Sequence, residues 1–166
     1  MIKPRLTPPE RACFNALLHG WADAPQIGQM RRYIQHGCVT TYEHCLRVAK
    51  MAFWLNRRLN LRADELSLVR GAMLHDFYLY DWHDCDRVTR WHGLTHPAAA
   101  LKNADALFEL NDTERDIILN HMWPLTLRHC PRSREAAIVC LADKLCSGEE
   151  TVLERRRKHP GGDPQK

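Results

Sequence analysis

The chain has 166 residues, 45% of them apolar and 27% charged, at a net charge of +4, which suits one globular domain with a core of its own. No apolar run approaches the 18 or so residues of a membrane span, and the segment from Met1 to Glu10 lacks the apolar stretch of a signal peptide. The seven cysteines lack Cys-x-x-Cys spacing, which argues against a disulfide framework and against a zinc finger; a cytoplasmic protein is expected.

The patterning predicts helices joined by short loops, with no convincing strand alternation. Thr7-Pro8-Pro9-Glu10 reads as a helix start, with a capping hydroxyl, prolines in the first turn and a Glu three residues on. That helix is predicted to end near His19-Gly20. A second is predicted from about Pro25 to Gln35. Thr40 and Glu43 fit a capping box for a third, expected to be the longest. Its inward stripe is Thr41, Cys45, Val48, Ala52, Leu55 and Leu59, with His44 alongside. A fourth, from near Asp64, carries Leu68, Ala72 and His75 on one line and Val69, Met73 and Asp76 on the next.

The aromatic, polar stretch from Phe77 to Gly93 reads as a loop shaping the mouth of a site. Thr95-His96-Pro97 is predicted to open a fifth helix, with His96, Ala100, Asn103, Leu107 and Leu110 facing inward. Asn111 caps a sixth, whose apolar face holds Ile117, Ile118 and His121, and Met122-Trp123-Pro124 breaks it. A last helix from near Pro131 carries Ala136, Val139, Cys140, Asp143 and Ser147 on one face. The fold class is all-α, a bundle of about seven helices. The domain is taken as 1–153, with a metal-binding core at about 35–150. Residues 154–166 are read as a basic, flexible tail, a solvated terminus rather than a nucleic-acid contact. Cys45, Cys140 and Cys146 read as small buried residues, and Trp82, Trp91 and Trp123 as core rather than base-stacking platforms.

Six polar residues stand on or beside apolar stripes: His44, His75, Asp76, His96, His121 and Asp143. A single inward His is most often a hydrogen-bonded core residue, and a single inward Asp a cap or half of an ion pair. Four His and two Asp facing one core exceed what a small domain can bury, and no matching set of inward Lys or Arg accompanies them. One or two divalent ions resolve the cost. Imidazole and carboxylate donors without thiolate suit Mn, Fe, Ni, Co or Zn.

The order His44, His75-Asp76, His96, His121, Asp143 resembles the HD-domain metal-dependent phosphohydrolase superfamily, over roughly Gln35 to Glu150. The two histidines between the His-Asp pair and the last Asp resemble its two-metal branch. The resemblance implies an all-α fold in which His44, His75, Asp76 and Asp143 hold one metal. His96 and His121 hold the second, with Asp76 bridging and a water between the ions as nucleophile. The cyclic-dinucleotide phosphodiesterases of the superfamily carry a Lys three residues after the Asp of the pair and a Gly-Tyr-Pro motif. Here that position is Leu79 and the motif is absent. Gln35-His36-Gly37, Leu79-Tyr80-Asp81-Trp82-His83 and His121-Met122-Trp123-Pro124 resemble words of small stand-alone bacterial HD proteins.

The implied activity is hydrolysis of a small phosphate ester or nucleotide. Asp76, His92 and Lys144 are the candidate catalytic residues. His36, His83, Arg87 and Arg90 are candidate contacts to the substrate, the cations among them to its phosphate. No membrane or nucleic-acid partner is expected. Two other readings fit the same residues: an HD-fold diiron oxygenase, and a metal-containing regulatory module that binds a nucleotide.

Overall fold

Three helices begin at a reciprocal capping box, in which a side chain accepts from the backbone three residues on and the Glu there reaches back. The pairs are Thr7 with Glu10, Thr40 with Glu43 and Asn111 with Glu114. Each satisfies two of the amide groups that a helix start leaves without partners. The computed structural model describes residues 3–36, 38–81 and 92–158; the side chains of His36, His92 and 154–158 are not described. In chain order it contains α1 (Pro8–Leu18), α2 (Pro25–Gly28), a 3-10 turn (Gln29–Arg32), β1 (Ile34–His36), β2 (Val39–Thr40), α3 (Thr41–Arg58), α4 (Glu65–Leu74), α5 (His92–Leu107), α6 (Asp112–Asn120) and α7 (Arg134–Lys158).

The all-α expectation holds. α3 packs along α4 and α7, and α6 lies against α4, α5 and α7. Val48, Ala52, Leu68, Ala72, Ile117, Ile118 and Val139 are fully buried where these helices meet. Gly71 permits a close approach of α4 to α6, since a Cβ there would stand 2.5 Å from Ile117 Cδ1 and 3.1 Å from its Cβ. The predicted interior thiols are buried and free at Cys45, Cys140 and Cys146. No helix of the described residues is long and apolar enough to cross a membrane.

Several details differ from the sequence expectation. The second helix stops at Gly28, and its predicted second half is the 3-10 turn and an antiparallel β1–β2 hairpin. Three residues against two are too short for alternation to register. The longest helix is α7, with 25 residues, not α3 with 18; its backbone continues to Lys158, past the point where the tail was placed. Leu59 is 59% exposed because it caps α3 instead of continuing its stripe, and Leu107 is 46% exposed. Leu107 lies about 60° off the position of Ala104 on the helix wheel, and Ala104 fills the core there. α5 begins at His92, so Pro97 lies in its second turn. Trp123 is 40% exposed, at a cis bond to Pro124, and is not core. Trp82 and Trp91 lie outside the described residues.

Candidate metal centre

Two of the site histidines sit at equivalent places. His75 follows the last residue of α4 and His121 the last residue of α6, each as the C-cap. Each lies against the carbonyl three residues back, His75 Nδ1 at 2.7 Å from Ala72 O and His121 Nδ1 at 2.8 Å from Ile118 O. A carbonyl only accepts, so Nδ1 carries a proton, and in the neutral ring the Nε2 lone pair faces the centre. Helix ends therefore supply both the position and the tautomer.

His44, on α3, is held differently. Its Nδ1 lies 3.0 Å from Glu150 Oε2 on α7, and Arg47 Nη1 donates to the other Glu150 oxygen at 3.0 Å. Its Nε2 stands 3.2 Å from Asp143 Oδ1 and 3.8 Å from Asp76 Oδ2. Asp143 also accepts from Ser147 Oγ, one turn on, at 3.1 Å.

Asp76 lies at the junction. Oδ2 is 3.5 Å from His75 Nε2 and accepts from Gln35 Nε2 at 2.7 Å. The Tyr78 hydroxyl donates to Gln35 Oε1, and Thr41 Oγ1 lies 3.4 Å from that hydroxyl. Oδ1 stands 3.1 Å from His96 Nε2 and 3.5 Å from His121 Nε2, and those two nitrogens are 2.9 Å apart. Asn103, from the inward line of α5, holds the turn after Asp76 by donating to the carbonyls of Phe77 and Tyr78. That turn ends at Leu79, whose φ of 55° is a left-handed conformation costly for a Leu.

All six of these side chains are buried. Burial alone would raise the carboxyl of Asp76, but His75, His96 and His121 hold it well below its usual range. Asp143 is likewise pushed up by burial and drawn well below its range by His44 and His75. Burial lowers His44, yet its hydrogen bonds to Asp143 and Glu150 outweigh that and carry it up to about 10. Burial and the adjacent His75 and His96 push His121 down to about 3.

Two observations test whether a metal fits. His75 Nε2 and Asp76 Oδ1 are buried and make no hydrogen bond, although both face the centre. Buried polar atoms are rarely left so unless another partner is intended. The 2.9 Å spacing of His96 Nε2 and His121 Nε2 also matches neighbouring donors around one ion, since bonds of about 2.1 Å at right angles put donors roughly 3 Å apart. Two groups of buried donors have the spacing to hold an ion: His44, His75 and Asp143, and His75, Asp76 and His121.

The family model of the HD domain matches residues 41–148, about two thirds of the chain and the span of all six side chains. The chain belongs to the HD domain family. No curated protein and no solved structure matches it significantly. Gln35 and Glu150, which hold two of the HD site residues, lie just outside the matched span. Both are buried, but they are joined to their partners across 41 and 106 residues. In the sequence Gln35 stands in a word shared with small HD proteins without a role of its own, and Glu150 carries no motif; the signal of both is a polar residue on an inward face. Lys144 is bound to the backbone beside the centre: Nζ donates to His121 O at 3.0 Å, Cys140 O at 3.3 Å and Cys140 Sγ at 3.2 Å. His83, Arg87 and Arg90 lie outside the described residues, as do the side chains of His36 and His92.

Proposed function

We propose that the chain is a metal-dependent phosphohydrolase acting on a small phosphate ester or nucleotide through a metal-activated water. The split of Asp76 carries the reading: one carboxylate oxygen faces His44 and His75, and the other faces His96 and His121. A carboxylate shared in this way suits two ions. His44, His75, Asp76 and Asp143 would hold one, and His96, His121 and Asp76 the other. The donor chemistry suits Fe, Mn, Ni, Co or Zn. When bound, such ions supply Lewis acidity and bring the pKa of water toward neutrality.

The chain's own residues prepare the donors. Carbonyls of α4 and α6 fix the tautomers of His75 and His121, Glu150 orients His44, and Gln35 fixes the plane of Asp76. Lys144, anchored on the carbonyl of His121, acts on this reading by positioning that residue. His92 stands one helical turn before His96, a place from which it could move a proton to or from substrate. His36, His83, Arg87 and Arg90 are assigned to the substrate, with the cations among them taking its phosphate.

The test combines elemental analysis of protein purified without chelator with phosphate release across phosphomonoesters and nucleotides. Two ions per chain are expected, falling to about one in His96→Ala or His121→Ala, together with metal-dependent release of phosphate. Metal-loaded protein that releases neither phosphate nor nucleoside would falsify the hydrolase. Bound iron with oxygen consumption would transfer the site to the oxygenase reading, which uses the same donors.

A further inference from the structure

We infer that the side of the molecule between α3, α7 and the N-terminal segment carries a second binding site, for a phosphate-bearing small molecule. A cavity of about 550 Å³ lies there, lined by Lys3 and Arg5 before α1 and by Arg47 and Lys50 on α3. Arg47 and Lys50 are three residues apart and share one helix face. Among the side chains lining the cavity, Glu149 is the carboxylate.

The charge lining the cavity is out of balance, with four cations against one carboxylate. Arg57 pairs with Glu65, Arg58 with Glu10, Arg70 with Glu114 and Arg115 with Asp105. Of the four cavity cations, Arg47 has an ion pair, to Glu150. Among the described residues no carboxylate lies in ion-pair range of Lys3, Arg5 or Lys50. With Arg47 paired to Glu150 and Glu149 on the wall, the cations still outnumber the carboxylates, and an anion bound among them lowers their mutual repulsion.

The walls are fixed rather than loose. Arg58 donates to Arg5 O at 3.1 Å, Leu6 is buried beside it, and the capping box at Thr7 holds the next turn. Met51 and Cys146 form a buried apolar floor. Cationic side chains above an apolar floor, in a space within the usual range for small-molecule sites, suit a phosphate carried on an organic body. Arg47 also links this cavity to Glu150, and so to His44. The site is separate from the metal centre and stands whether or not the hydrolase reading does.

Met51 provides a local probe. Protein carrying 13C-methyl methionine, with Met51 assigned through Met51→Leu, is titrated with inorganic phosphate and, separately, with chloride at equal ionic strength. Phosphate is expected to move the Met51 methyl saturably and chloride to leave it in place. The double variant Arg5→Ala/Lys50→Ala should bind phosphate about tenfold more weakly or less, since it lacks two charge-assisted contacts. Its melting temperature and metal content should match the parent, which separates lost binding from lost fold. A Met51 signal that phosphate does not move, that chloride moves equally, or that responds with parental affinity in the double variant would overturn the site.

Discussion

Glu150 shows how much of the site depends on residues that never face its centre. Its carboxylate spans Arg47 and His44 while 3% exposed. Replacing it with Ala leaves His44 Nδ1 without its acceptor, and losing such an outer partner costs roughly 10–100-fold in metal affinity. Glu150→Ala should therefore weaken metal binding by about that factor while a folded protein remains, and Glu150→Gln should recover part of it because its amide oxygen can still accept from Nδ1–H. Competition with a chromophoric chelator measures both, and parental affinity in Glu150→Ala would remove Glu150 from the site. The six central residues could be read from the sequence because each betrays itself locally, as a His or Asp on an apolar stripe. Glu150 lies one turn beyond Cys146, in a stretch already turning acidic and basic. Its meaning comes from a contact 106 residues away, which no local pattern encodes.

Element ends and element contacts place those side chains. α4 and α6 each stop one residue before a site histidine, and they touch at Gly71 against Ile117. Gly71→Ala gains helix propensity of up to about 1 kcal/mol. It also pushes a methyl into Ile117, and such overpacking costs about 1–3 kcal/mol. The expected result is a net loss on the order of 1 kcal/mol with weakened metal binding, because the two helix ends separate. Denaturant unfolding and metal titration check both, and an unchanged metal affinity would uncouple the packing from the site. α1 offers a test by pH. Hydrogen bonds from Arg58 and from the Thr7 backbone hold the Glu10 carboxyl at about 2 instead of 4.5. A carboxyl lowered on folding adds stability above 4.5 that is lost as the pH falls toward 2. The melting temperature should fall through that window, and Arg58→Met should flatten the fall; identical profiles would assign the acid sensitivity to other carboxyls. Capping boxes and helical periodicity made these elements legible in the sequence. The β1–β2 hairpin was not, because a few residues carry no alternation, and the exposure of Leu59 and Leu107 depends on where α3 and α5 run off the core.

The candidate metal centre joins parts of the whole chain: α3, the ends of α4 and α6, α5 and α7 each supply at least one side chain. Ions held by these two donor sets, joined through Asp76, would tie the bundle together and stabilise it by mass action, about 2.7 kcal/mol at a hundredfold excess over Kd. Without an ion, the two buried carboxylates are balanced by protons on imidazoles, since His44 is raised to about 10 and His75 well above its usual value. The metal-free protein should therefore stay folded at neutral pH. An imidazole raised on folding contributes stability that is fully present below the ordinary value of 6.5 and is lost as the pH climbs through the folded value. Between pH 6.5 and about 10 the metal-free form should lose stability through His44, with His75 adding to the loss. The loaded form, with metal in place of those protons, should not. The gap in melting temperature between loaded and chelated protein should thus widen with pH across that window, and metal loading near pH 7 should release protons. Calorimetry in two buffers of different ionisation enthalpy counts them. A gap that stays constant with pH, with no proton released, would mean that His44 and His75 are neutral in the metal-free fold and that something other than imidazolium balances Asp76 and Asp143.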